Sequence, residues 1–149
     1  MQKSIIARVV SILFVILLIG GAIGLFFIPQ LYDLTKASSV LFKNKALYYK
    51  GIFYICYIIS FIIIYILFKI FNFIYNKNPF QNNIERYIKI LAVLFMSLAL
   101  IVGIKTIFLP TILSIVVVVL TFIISLCFYV VAEVFKVAIN YKEEIDYTV

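Results

Sequence analysis

The chain has 149 residues, 66% of them apolar and only 13% charged, with a formal net charge of +7. A soluble domain averages about 45–50% apolar and about 25% charged, so a water-soluble fold is excluded. The mean hydropathy of +1.24 points to one membrane domain with little left over for a second, soluble one.

The positive balance has its place beside membrane helices, where Lys and Arg fix orientation and meet anionic headgroups. No basic cluster with interleaved aromatics supports direct nucleic-acid binding. The wealth of Ile, Lys, Asn, Tyr and Phe fits an AT-rich bacterial genome.

Lys3 and Arg8 make a short basic start, and residues 9–29 form the first expected span. At about 1.5 Å per residue, this run crosses roughly 30 Å of hydrocarbon. The apolar core of a secretory signal is shorter, about 7–15 residues, so an uncleaved helix is expected, ending or kinking at Pro29. Gly20 and Gly24 form a GxxxG pair that lets another helix, including one from a second copy, approach closely.

Residues 30–50 mix Asp33, Lys36, Lys43, Lys45 and Lys50 with Val40, Leu41, Phe42, Leu47 and Tyr48. The mixture suggests a short amphipathic helix lying in the membrane interface. The second span covers 51–75. Lys69 lies near its end and can extend its stem to the headgroups. Cys56 and Ser60, one turn apart, form a small-residue packing face, and Tyr48, Tyr49, Tyr54 and Tyr75 fall at the two ends like an aromatic belt. Cys56 and Cys127 are expected at depths differing by about 15 Å. A disulfide needs Cα atoms within about 7 Å, so none is expected.

Asn78-Pro79 is a turn signal, and Asn82 precedes Glu85 at the spacing of a capping box. A helix therefore restarts near Asn83 and runs into the third span, 88–109, with Arg86 and Lys89 on one face just below the bilayer. Ala99 and Gly103 are small residues one turn apart. Lys105, four residues before Leu109, reads as a snorkelling lysine. The fourth span covers 111–131. Its Ser114, Thr121 and Ser125 share a face, as a polar path would require or, more simply, as interhelical hydrogen bonds of about 0.6 kcal/mol each would.

Basic residues set the orientation. With the N-terminus inside, Lys3, Arg8, Lys69, Lys77, Arg86, Lys89, Lys136 and Lys142 are cytoplasmic, against Lys36, Lys43, Lys45, Lys50 and Lys105 on the other side. That bias places both termini in the cytoplasm. The expected fold is all-α: a polytopic four-helix bundle with a cytoplasmic C-terminal amphipathic tail over 133–149.

No histidine is present, which removes His-based nucleophile activation, proton shuttling and metal ligation. No glycine-rich phosphate loop follows a strand. No Asp, Glu, Asn or Gln sits centrally in a span, so no intramembrane catalytic set is visible. The expectation is a non-enzyme without cofactor or metal, whose partners are the lipid bilayer and a protein.

The tail holds Glu133, Glu143, Glu144 and Asp146, four of the six acidic residues. Phe135, Ala138, Ile139 and Lys142 follow helical spacing ahead of the acidic cluster. Anionic headgroups repel that cluster, which favours a soluble contact over the membrane surface for the last seven residues.

Two stretches carry a family resemblance: Asn78-Pro79-Phe80 followed by Asn82, Asn83 and Arg86, and Phe135-Lys136 followed by Glu143-Glu144, Asp146 and Thr148-Val149. With four spans and this length, the chain resembles the YoaS-like family of small bacterial membrane proteins of unknown function. It departs from that pattern at Ala138, Tyr141 and Tyr147. Such proteins are often encoded beside a small helix-turn-helix DNA-binding protein. The resemblance therefore implies an inner-membrane protein that binds or sequesters a small cytoplasmic transcription factor, through Phe135, Lys136, Glu143, Glu144, Asp146 and Thr148 and through Asn78, Pro79, Phe80 and Arg86. Two other expectations stand beside it. One is immunity against a membrane-active peptide through Lys43 and Lys45. The other is a small transporter, or a transporter subunit, built on Ser114, Thr121 and Ser125.

Overall fold

The structure is a computed structural model and describes residues 5–36, 46–76, 82–108 and 110–148. They form four α-helices: α1 (Ile5–Lys36), α2 (Ala46–Asn76), α3 (Asn82–Phe108) and α4 (Ile112–Thr148). Each contains a segment long and apolar enough to cross a membrane: Arg8–Phe27, Tyr48–Tyr75, Asn83–Phe108 and Ile112–Ile145. The all-α architecture is therefore present, with four helices long and apolar enough to cross a membrane. Helix α3 starts within a residue of the expected Asn83, whereas the ends of α1 and α4 lie beyond the expected spans.

Helix α1 runs through Pro29 to Lys36. Proline lacks the N–H that would reach back one turn, but membrane helices tolerate this where local adjustment satisfies the freed carbonyl. Residues 30–36 thus continue α1 and do not start a separate interfacial helix. Lys43 and Lys45 lie outside the described residues. Helix α3 begins at Asn82, earlier than the apolar run alone implies, with Glu85 in its first turn, where a negative charge suits the helix dipole.

The α3–α4 connection is short and capped. The Ser114 N–H donates to Thr111 Oγ1 and the Thr111 N–H donates to Ser114 Oγ, each at 3.3 Å. This is the reciprocal arrangement of a capping box. The Ile115 N–H then donates to the Thr111 carbonyl at 3.1 Å, the first turn of α4.

Among the described residues, helices pack only on their neighbours in sequence: α1 on α2, α2 on α3, and α3, most extensively, on α4. The core sits between α2, α3 and α4. Ile63 and Ile66 of α2 meet Leu91 and Leu98 of α3, with Phe128 of α4 packed against them. A second cluster joins Ile84, Ile88 and Ala132, flanked by Ile70, Phe73 and Phe135. Ile84 and Leu91 are fully buried. The outward faces of α1 and α4 carry exposed Ile12, Ile16, Ile23, Val119 and Ile123, as lipid-facing helices do; packing and interhelical hydrogen bonds must then hold the helices together.

The α1–α2 contact uses Gly24 of the GxxxG pair together with Gly21. The Tyr57 hydroxyl donates to the Gly21 carbonyl at 2.7 Å. A Cβ on Gly21 would lie 2.9 Å from Phe61 Cδ2, and one on Gly24 would collide with the Tyr57 hydroxyl. Gly20 has open space around it. The close approach therefore uses Gly21 and Gly24, and it is made by α2 of the same chain. One turn and more towards the N-terminus, Phe14 lies 6.1 Å from Phe68 and 5.9 Å from Phe71.

Candidate functional site

Helices α3 and α4 run antiparallel, and a few contacts fix their register. Ser125 Oγ donates to the Ala92 carbonyl at 2.7 Å in the buried interface. Phe95 stacks on Phe128 with centroids 5.5 Å apart and planes at 10°. Nearer the start of α3, Lys89 Nζ meets Glu85 Oε1 at 2.8 Å and Glu133 Oε1 at 3.6 Å. Glu85–Lys89 has the i, i+4 order that suits a helix, and Glu133 ties the pair to α4.

These charges lie near the start of α3 and beside Glu133 of α4. Lys105, in the last turn of α3, lies about 24 Å away along the helix. Helix α4 has 37 residues, about 55 Å of helix against roughly 30 Å of hydrocarbon. It passes Glu133 without a break and continues about 22 Å further to Thr148. The amphipathic segment expected over 133–149 continues α4 as one helix, because Ala132, Phe135 and Ile139 keep the 3–4 spacing of its buried face.

Beyond Glu133 the opposite face of α4 is apolar and exposed. Val134 is 62% exposed, Tyr141 61% and Tyr147 90%. Tyr129, Val130, Glu133, Val134, Val137, Ala138 and Tyr141 line a shallow groove of about 520 Å³. Glu133 is its one ionisable carboxylate, between tyrosines at the two ends.

The expected site residues separate into distinct surroundings. Phe135 packs into the Ile84–Ile88–Ala132 cluster. Lys136, Glu143 and Glu144 are exposed on α4. Thr148 Oγ1 donates back to Glu144 O at 2.9 Å. Asp146 lies on the same helix, and Arg86 is exposed on α3. Asn78, Pro79 and Phe80 lie outside the described residues.

Among the small and hydroxyl residues, Ser125 makes the interhelical bond. Ser114 belongs to the α4 cap, and Thr121 Oγ1 donates to Val117 O at 2.7 Å within its own helix. Ser60 likewise donates to Cys56 O at 2.8 Å. Ala99 is buried, whereas Gly103 has open space. Cys56 and Cys127 are free thiols on α2 and α4.

Three features were not read from the sequence. Glu85–Lys89 was available from its i, i+4 spacing, but its partner Glu133 was not. Tyr57 carried no signal for Gly21, thirty-six positions away. The third is on α2, where Lys69 Nζ lies 4.9 Å from the Tyr87 ring centroid and 5.9 Å from that of Tyr65. Among the described residues, no group of three His, Cys, Asp or Glu side chains could hold a metal ion.

The chain is all-α, with four helices long and apolar enough to cross a membrane and an ion-paired cluster between α3 and α4. Residues 29–149 match the family model described as "Protein of unknown function (DUF2975)", and the chain belongs to that family. No curated protein and no solved structure matches it.

Proposed function

We propose that this protein is a regulatory protein of the bacterial cytoplasmic membrane. Its four helices form a bundle with both termini in the cytoplasm, and the end of α4 serves as a cytoplasmic tail. That tail binds or sequesters a small helix-turn-helix transcription factor. The observation that carries this reading is the projection of α4 past the Lys89–Glu133 level, with Val134, Val137, Tyr141, Ile145 and Tyr147 exposed beside Glu143 and Glu144. An apolar stripe outside the hydrocarbon calls for a protein surface to cover it. The neighbouring carboxylates suit a basic DNA-binding domain and would compete with DNA for it.

The packing decides how to test this. Ending the chain at Ala132 would remove Phe135 from the core and Glu133 from Lys89, so loss of binding could follow from damage to the α3–α4 pair. Glu143→Lys/Glu144→Lys and Val137→Ser/Tyr141→Ser act on exposed positions. Affinity purification from native membranes in mild detergent, followed by mass spectrometry, should recover a small DNA-binding protein with the wild type and lose it with either double variant. Recovery undiminished in both variants, or no soluble partner with an intact wild type, would sink the reading.

A further inference from the structure

The two lysines at the Lys89–Glu133 level differ in their partners. Lys89 has two carboxylates, Glu85 and Glu133, within ion-pair distance. Lys69 is at the same height, because its neighbour Ile70 packs against the Ile84–Ile88–Ala132 cluster. Among the described residues, no carboxylate lies within ion-pair distance of Lys69 or of Arg86 on α3. Instead, the half-buried Lys69 reaches from α2 to α3, where its ammonium lies over Tyr87 with Tyr65 on its own helix beside it. Tyr87 is itself braced by Phe73, with centroids 5.8 Å apart.

The geometry points to an anionic phosphate site at this α2–α3 junction, with an anionic phospholipid headgroup as the ligand. Aromatic faces hold the ammonium in place and leave its charge undiminished. Arg86, the residue before Tyr87 on α3, is exposed, and its long side chain with a planar donor fork that fits phosphate oxygens would supply a second positive charge to a headgroup held there. At the edge of the hydrocarbon, the available counter-charge is a lipid phosphate. A zwitterionic headgroup brings its own cation and neutralises less of the pair's charge, so the site discriminates for anionic lipid. Ordinary snorkelling would make no such distinction, since it needs only a polar headgroup region.

The test uses the full-length protein in mild detergent and native mass spectrometry with added phosphatidylglycerol or phosphatidylcholine. The wild type should retain a phosphatidylglycerol in preference to phosphatidylcholine. Lys69→Gln should reduce that preference about fivefold, the effect of one lysine near an anionic surface, while Lys69→Arg keeps most of it. Lys105→Gln, at the opposite end of the spans, should leave it unchanged. Circular dichroism checks that each variant keeps its helix content, and a Tyr87→Leu variant tests the aromatic brace separately. Equal retention of the two lipids by the wild type would overturn the proposal, as would a preference untouched by Lys69→Gln in a folded protein. Inorganic phosphate displacing phosphatidylglycerol at millimolar concentration would assign the site to free phosphate and overturn the lipid.

Discussion

At the scale of single residues, the strongest constraints fall where one helix touches another. Gly24→Val places a methyl-bearing Cβ where the Tyr57 hydroxyl lies, so Tyr57 must leave Gly21 and α1 must move away from α2. Gly20→Val meets open space. Unfolding in mixed detergent should show a clear loss for Gly24→Val and little change for Gly20→Val; equal losses would contradict the assignment of the contact to Gly21 and Gly24. Ser125→Ala removes the bond to the Ala92 carbonyl and should cost about 0.6 kcal/mol, the usual size of such bonds between membrane helices. Thr121→Ala, whose hydroxyl bonds within its own helix, should change less. These two residues have the same chemistry and lie four positions apart, so helical spacing in the sequence grouped them. Which hydroxyl crosses to a neighbour depends on where Ala92 lies, thirty-three residues away, and no local pattern records that.

At the scale of the element, α4 is the unusual helix. Its sequence changes from apolar to mixed after Val131, which reads as the end of a span. The buried face nevertheless runs on through Ala132, Phe135 and Ile139, and the backbone follows it. The four spans were legible because long uncharged runs are a strong signal. The starts of α3 and α4 were legible to within a residue, from the Asn82–Glu85 spacing and from the break after Leu109; the ends of α1 and α4 were not, because they are set by the tolerance of Pro29 inside α1 and by α3 packing beside Phe135. A proline in the middle of the projection separates the two descriptions. Val137→Pro in a continuous helix should cost about 3 kcal/mol of local helix stability, seen as faster amide exchange from 137 to Thr148. A flexible tail would show no change. Glu133→Gln should have a small effect on overall stability, since its pair with Lys89 is half exposed and screened.

At the scale of the whole molecule, the proposed arrangement with four crossings requires the start of α1 and the end of α4 to lie on one side. Single cysteines at position 3 and position 147, in a chain with Cys56 and Cys127 replaced by Ala, should both resist a membrane-impermeant maleimide in intact cells and react after lysis. Labelling at one end alone in intact cells would rule out four crossings. The lateral order of the helices carries a different consequence. Each helix finds its contacts on the one made just before it, and α1 touches α2 alone. No segment has to wait for a distant one, so few loops must close over long sequence separation before contacts form. The ribosome delivers the helices in the same order, so the structure can be completed one helix at a time as it emerges. The matched family region begins at residue 29, within α1. The first helix joins the other three through a single seam, which makes it the piece of this protein that can be exchanged with the least disturbance to the rest.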